Sequence, residues 1–127
     1  MPRGLARGSL LWRLAPVAWM LLVFLLSSQS GISDPFDLPG WLPADKLAHA
    51  GLFGVLSALL YMAGLRPTLA VAVAALYGVV DEVHQMFVPG RNPDILDWLA
   101  DIAGAAVGVW LVYYPSREAR SAGESVE

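Results

Sequence analysis

Residues 94–114 read DILDWLADIAGAAVGVWLVYY, and this stretch decides the fold class of the chain. Its acidic residues all stand within the first eight positions, and no charged residue follows until after Pro115. An α-helix rises 1.5 Å per residue and therefore needs about 20 residues to cross a hydrocarbon core of about 30 Å. We therefore predict a transmembrane helix that begins near Asp94 and reaches Tyr114.

Three more apolar stretches precede this one. They run from Leu10 to Leu26, from Leu47 to Leu65 and from Thr68 to about Phe87, and they are separated by segments rich in proline and glycine. The first is followed by serines and glutamine rather than by the Ala-x-Ala-like site of a cleaved signal peptide, so we expect it to be retained. The sequence thus predicts an all-α protein, a four-helix transmembrane bundle over residues 1–115, with a flexible cytoplasmic tail over residues 116–127.

The composition excludes two classes of protein. Apolar residues make up 57% of the 127 residues and charged residues only 15%, which a soluble domain of this size would expose as aggregating patches. The net charge of −3, without a cluster of Lys and Arg, counts against nucleic acid as a partner. The absence of cysteine rules out disulfides and thiolate metal ligands. The expected partners are membrane lipids, with oligomerisation left open.

Basic residues predict the orientation in the membrane. Four crossings put both termini on one side, together with six arginines: Arg3, Arg7, Arg13, Arg66, Arg117 and Arg120. Only Lys46 and Arg91 fall on the other side. Because Lys and Arg are retained on the cytoplasmic side, we predict a multi-pass plasma-membrane protein with both termini cytoplasmic. Both histidines and most of the acidic residues are then extracytoplasmic.

The second helix begins with polar residues that have two interpretations. Asp45, Lys46 and His49 are spaced so that their side chains can meet on one face of a helix. An interfacial cap explains Asp45 and Lys46 as well as a functional role does. His49 lies deeper, where an unpartnered imidazole is costly, so we favour a functional role for it.

The third helix ends with Asp81, Glu82, His84 and Gln85. Ala70, Ala74 and Gly78 precede Glu82 at intervals of four residues, and such a stripe of small residues favours close helix packing. We therefore expect Glu82 to point into the bundle. A structural ion pair with Lys46 or Arg91 is the alternative to a functional carboxylate.

The fourth helix carries Asp97, Asp101, Gly104 and Gly108 along one face. The glycines predict close packing that holds the two aspartates against the other polar helix ends. Arg91, in the loop before this helix, suits bidentate binding of phosphate or carboxylate. Metal binding by the histidines and carboxylates is a further alternative, although the spacing matches no specific ligand motif; the sequence identifies no cofactor.

Four segments together resemble the VanZ-like family of small membrane proteins. They are Ser27-Ser28-Gln29, Asp45-Lys46-x-x-His49, the run from Glu82 through Gln85 to Arg91, and Asp97-x-x-x-Asp101-x-x-Gly104. The resemblance covers most of the chain and is specific because the order and the spacing of all four agree. The chain departs from the pattern at Asp101, where we expect asparagine, and this adds a possible negative charge.

The resemblance implies a cell-envelope protein, in a family named for a member associated with resistance to teicoplanin. Resistance itself does not carry over to this chain. The family is also proposed to include membrane-embedded enzymes that act on lipid head groups, which would suit a polar pocket at bilayer depth.

Two functional hypotheses follow. In the first, the protein cleaves or exchanges a phosphate-containing lipid head group: His49, Glu82, Asp97 and Asp101 are catalytic, and Lys46, Gln85 and Arg91 bind the substrate. Within that set, Glu82 or His49 acts as general base, and an aspartate orients a histidine or binds a cation. In the second, the same residues form a noncatalytic head-group binder or an accessory subunit linked to the envelope or to a glycopeptide-antibiotic response. Transport by so small a bundle would require oligomerisation.

Overall fold

The computed structural model describes residues 7–30 and 44–124, and this part of the chain is helical without strands. Four helices follow one another: α1 (Leu10–Ser27), α2 (Ala44–Met62), α3 (Pro67–Gln85) and α4 (Ile95–Glu124). The predicted all-α class with four helices is confirmed. Helices α1, α3 and α4 are long and apolar enough to cross a membrane. Helix α2 is long enough but less apolar, because Asp45, Lys46 and His49 in its first two turns lower its mean hydropathy.

Helix α2 ends three residues earlier than predicted, because a glycine stops it. Gly64 has a φ of 115°, a left-handed conformation that glycine adopts without strain. Its N–H donates to the carbonyl of Tyr61 at 3.0 Å, and the Leu65 N–H donates to the carbonyl of Leu60 at 3.2 Å. These two bonds form a Schellman motif, which satisfies carbonyls at the helix end.

Helix α4 is longer than predicted, so the expected end at Tyr114 is wrong. It continues through Pro115 to Glu124. Proline removes one backbone donor, and the adjacent Ser116 hydroxyl adds a bond to the carbonyl of Val112 at 2.7 Å. The loss of one hydrogen bond is too small to stop a helix that is well formed on both sides.

The division into a membrane domain and a tail stays a prediction, and the expected loop 31–43 lies outside the described residues.

Helices α2 and α4 pack backbone to backbone, and theirs is the most extensive contact between helices. A Cβ atom at Gly104 would overlap the backbone of Ala50, and one at Gly108 would overlap the backbone of Gly54. The glycine face predicted on α4 therefore lies against α2. This contact brings the polar starts of the two helices side by side.

Helix α3 packs its small residues against the bundle. Ala70 and Ala74 are fully buried, and a Cβ atom at Gly78 would come within 2.9 Å of Asp101 Oδ2. Helix α1 completes the bundle through two long-range bonds: Trp19 Nε1 donates to the carbonyl of Leu52 at 2.9 Å, and the Tyr77 hydroxyl donates to the carbonyl of Met20 at 2.6 Å. The result is one polar end, where α2 and α4 begin and α1 and α3 finish.

Candidate functional site

The centre of the polar end is a buried pair formed by His49 and Asp101. Nδ1 of His49 lies 2.8 Å from Asp101 Oδ1, and Asp101 has no exposed surface. The packing of Gly104 on Ala50 produces this contact, because each member of the pair lies within one turn of that crossing. A carboxylate at this distance accepts a proton from Nδ1, so the lone pair of the neutral imidazole is on Nε2. Nε2 lies 3.7 Å from Asp97 Oδ2.

Lys46 is held by three carboxylates. Its Nζ lies 2.5 Å from Asp97, 2.7 Å from Asp94 and 3.2 Å from Asp45. An ammonium has three N–H donors, so these contacts use all of them. The hydrogen bond from Lys46 lowers the pKa of Asp94, which stands just before α4. This geometry makes Lys46 a link between the starts of α2 and α4, and its predicted role in substrate binding stays a prediction.

Asp81 is the buried acid of α3. It is 3% exposed, and its carboxylate accepts hydrogen bonds from the Ser27 hydroxyl and, at 3.3 Å, from Gln85 Nε2. Neither Ser27 nor Asp81 was among the predicted site residues. The stripe of small residues on α3 could have indicated Asp81, because the buried positions of this helix are 70, 74, 78, 81 and 85. The stripe takes a step of three after Gly78 and continues into Asp81 rather than Glu82.

Glu82 lies beside this cluster and is only half-buried. Its Oε2 accepts the backbone N–H of Asp94 at 2.9 Å, while its Oε1 is inaccessible and has no hydrogen-bond partner in the described part of the chain. The side chain lines a largely apolar crevice of about 350 Å³ with residues of α3 and α4, including Val79, Val83 and Trp98. One oxygen of Glu82 also lies within 4.8 Å of ligand atoms of His49 and Asp81.

A larger cavity of about 590 Å³ opens between α1, α2 and the end of α3. Its polar wall contains His49, Asp81, Gln85 and Arg91. Its apolar wall is formed by α1 and the outer face of α2, including Trp19, Leu26, Leu47, Leu52 and Val55. Arg91 is partly exposed and donates through Nε to the carbonyl of Gln29 at 3.2 Å. Within residues 7–30 and 44–124, its other guanidinium N–H groups have no hydrogen-bond partner.

The second histidine takes no part in this cluster. The His84 ring stacks on Phe24 with centroids 4.2 Å apart, and its Nε2 lies 3.3 Å from the Ser28 hydroxyl. His84 therefore joins α1 to α3. The structure thus gathers His49, Asp97, Asp101 and Lys46 into one cluster, places Gln85 and Arg91 on the cavity beside it, and places Glu82 on the smaller crevice.

Two groups of side chains have the spacing of metal ligands. In each, the potential ligand atoms lie within 4.8 Å of one another: Asp45, His49 and Asp97 form the first group, and His49, Asp81 and Glu82 the second. His49 belongs to both groups. One imidazole and two carboxylates form a donor set that suits a divalent cation.

The apolar helices, with polar side chains gathered at one end of the bundle, define an α-helical membrane protein. The chain matches the family model described as VanZ/LLP1 over residues 10–115, and it belongs to that family. This match confirms the resemblance drawn from the four sequence segments. No curated protein and no solved structure matches the chain.

Proposed function

We propose that this protein binds a phosphate-containing lipid head group in the 590 Å³ cavity and cleaves or exchanges it at the outer leaflet of the plasma membrane. The chain crosses the bilayer four times in this proposal, with both termini in the cytoplasm, as the basic-residue asymmetry predicts. The observation that carries the proposal is the cavity itself. It places the guanidinium of Arg91 and the imidazole of His49 at one end of an apolar groove.

The shape of the cavity favours an amphiphile over a free ion. The apolar wall on α2 extends from Leu47 to Val55, which at 1.5 Å per residue is about 12 Å along the helix. A soluble phosphate compound would gain nothing from so long an apolar wall. A lipid would place its chain against this wall and its head group at the polar end.

The polar wall supplies the groups that such a reaction needs. Arg91 uses only its Nε–H in hydrogen bonds to the described residues, and its other N–H groups suit phosphate oxygens. Asp101 orients His49, so that the Nε2 lone pair is the reactive site of the imidazole. A water or alcohol oxygen forms a bond to phosphorus while the bond from phosphorus to the leaving oxygen breaks. The proton of the nucleophile passes to the carboxylate and imidazole cluster and from there to the leaving oxygen.

A noncatalytic head-group binder is the second candidate, and the environment of Lys46 favours it. Lys46 and its three carboxylates fill one side of the cluster with ion pairs, which is the arrangement expected of a structural site. In that case Arg91 alone would hold the phosphate, and His49 with Asp101 would only tie α2 to α4.

Lipid extraction and mass spectrometry of cells with and without the protein test the proposal. His49→Gln removes the oriented imidazole, and His84→Gln is the matched control because His84 stacks on Phe24 away from the cluster. We expect the wild-type protein and His84→Gln to change the same lipid species and His49→Gln to change none. An unchanged lipid profile with wild-type protein, together with retained head-group binding, would favour the noncatalytic binder.

A further inference from the structure

The acidic residues of the polar end differ in how their charges are balanced. Lys46 contacts Asp45, Asp94 and Asp97, and His49 contacts Asp101. Within residues 7–30 and 44–124, neither Asp81 nor Glu82 forms a salt bridge. Two neighbouring carboxylates in a membrane protein are stable when one of them is protonated or when a cation balances their charge.

The hydrogen bonds of these two carboxylates supply no positive charge. Asp81 accepts from the neutral groups of Ser27 and Gln85, and Glu82 accepts from the backbone N–H of Asp94. The second oxygen of Glu82 is buried without a partner. A carboxylate oxygen that is buried without a partner is costly, and either a proton on the carboxyl group or a bound cation removes this cost.

His49 completes a set of three donors with these two carboxylates. The three ligand atoms lie within 4.8 Å of one another, and two oxygens or nitrogens that bind one divalent ion at 2.0–2.4 Å are at most about 4.8 Å apart. Asp101, on Nδ1, acts as the outer carboxylate that metal-binding histidines commonly have. The Nε2 lone pair of His49 is then free for the ion.

The other donor group is a poorer site. It consists of His49 with Asp45 and Asp97, and both of these aspartates already contact the ammonium of Lys46. A cation there would lie beside a fixed positive charge and would have to displace it.

We propose that His49, Asp81 and Glu82 bind one divalent cation of the Mn²⁺ or Zn²⁺ class. Asp81 and His49 line the cavity, so the open coordination positions of the ion face the space next to Arg91. This inference rests on the proposed function and deepens it: the cation and Arg91 together hold the phosphate oxygens of the head group. His49 serves as a ligand in this site and no longer accepts the proton of the nucleophile, which passes instead to the carboxylates of the cluster; Asp101 is the positioning residue of His49.

The test uses the full chain in detergent, freed of metal with a chelator and titrated with Mn²⁺ while the free ion is measured by electron paramagnetic resonance. We expect one Mn²⁺ per chain, competed by Zn²⁺. Asp81→Asn and Glu82→Gln should each weaken binding at least tenfold, and Asp101→Asn should weaken it about 10–100-fold, as outer carboxylates typically do. Asp94→Asn is the matched control, because Asp94 contacts Lys46 and lies outside the set.

The outcomes of this titration distinguish failure of the cation site from failure of the proposed function. Absence of stoichiometric Mn²⁺ and Zn²⁺ binding to the wild-type chain, or equal weakening by Asp94→Asn and by both ligand variants, would overturn the cation site. If a phosphate-headed lipid still binds and reacts in chelator, the cation site fails and the proposed function survives. If Mn²⁺ binds as expected but no such lipid binds or changes, the proposed function fails and the cation site survives.

Discussion

Replacing Gly108 by alanine tests the packing that assembles the site. The added methyl group would overlap the backbone of Gly54 on α2, and backbone cannot rotate away as a flexible side chain can. Overpacking of this kind costs about 1–3 kcal/mol, and we take the upper end because the obstacle is rigid. Alanine regains up to about 1 kcal/mol of helix propensity over glycine. The net expectation is a loss of about 2 kcal/mol in the free energy of unfolding.

Two other glycines provide matched controls. Gly51 on α2 and Gly123 on α4 have no atoms within 4 Å of an added Cβ. Alanine at either position keeps the propensity gain without the overlap, so these variants should be as stable as the wild type or up to about 1 kcal/mol more stable. The chemical change is the same in all three proteins. A difference between them therefore reports the α2–α4 contact alone.

Unfolding by SDS in mixed micelles, followed by tryptophan fluorescence, measures this difference. Gly104→Ala, which overlaps Ala50, should behave as Gly108→Ala does and should also disturb the neighbouring His49–Asp101 pair. If Gly108→Ala unfolds at the same SDS fraction as Gly51→Ala, then α2 and α4 are not packed through these glycines. The reasoning that places His49 beside Asp101 would lose its basis.

Three further predictions concern orientation, charge and pH. The chain has no cysteine, so single cysteines can be introduced at Asp37, which lies outside the described residues, and at Ser121. An impermeant reagent added to intact cells should label the cysteine at position 37 and not the one at position 121. The reverse pattern would show that the predicted orientation is wrong. Lys46→Met leaves three carboxylates without their counter-charge and should lower the free energy of unfolding by about 1–3 kcal/mol, whereas wild-type stability in that variant would make the ion pairs energetically neutral. Lys46 lowers the pKa of Asp94 in the folded protein, so the stabilisation from this ion pair is complete above the ordinary aspartate pKa of about 3.9. It is lost as the pH falls from there through the lowered pKa, and the SDS stabilities of wild type and Asp94→Asn should converge over this range.

The polar cluster was only partly predictable, as α3 illustrates. A strict four-residue interval runs from Ala70 through Gly78 to Glu82, and it led us to expect Glu82 in the interior. In the structure the buried face takes a step of three and reaches Asp81. An α-helix has 3.6 residues per turn, so a face in contact with a neighbour along several turns must mix steps of three and four. The neighbour decides where the shorter step falls.

The sequence by itself determined that this is a helical membrane protein with polar residues gathered at one end. Apolar length and proline or glycine punctuation are local properties, and the distance along the chain suffices to interpret them. Only the tertiary structure decided that Lys46 binds three carboxylates, that Asp101 holds His49, and that α4 continues through Pro115. The contacts of Lys46 and of Asp101 depend on which groups meet across helices. The continuation of α4 depends on whether the hydrogen bond lost at Pro115 costs more than the helical turns on both sides contribute. The contacts between α2 and the start of α4 join residues 48 to 52 positions apart in sequence, such as His49 and Asp101, and the distance along the chain cannot reveal them.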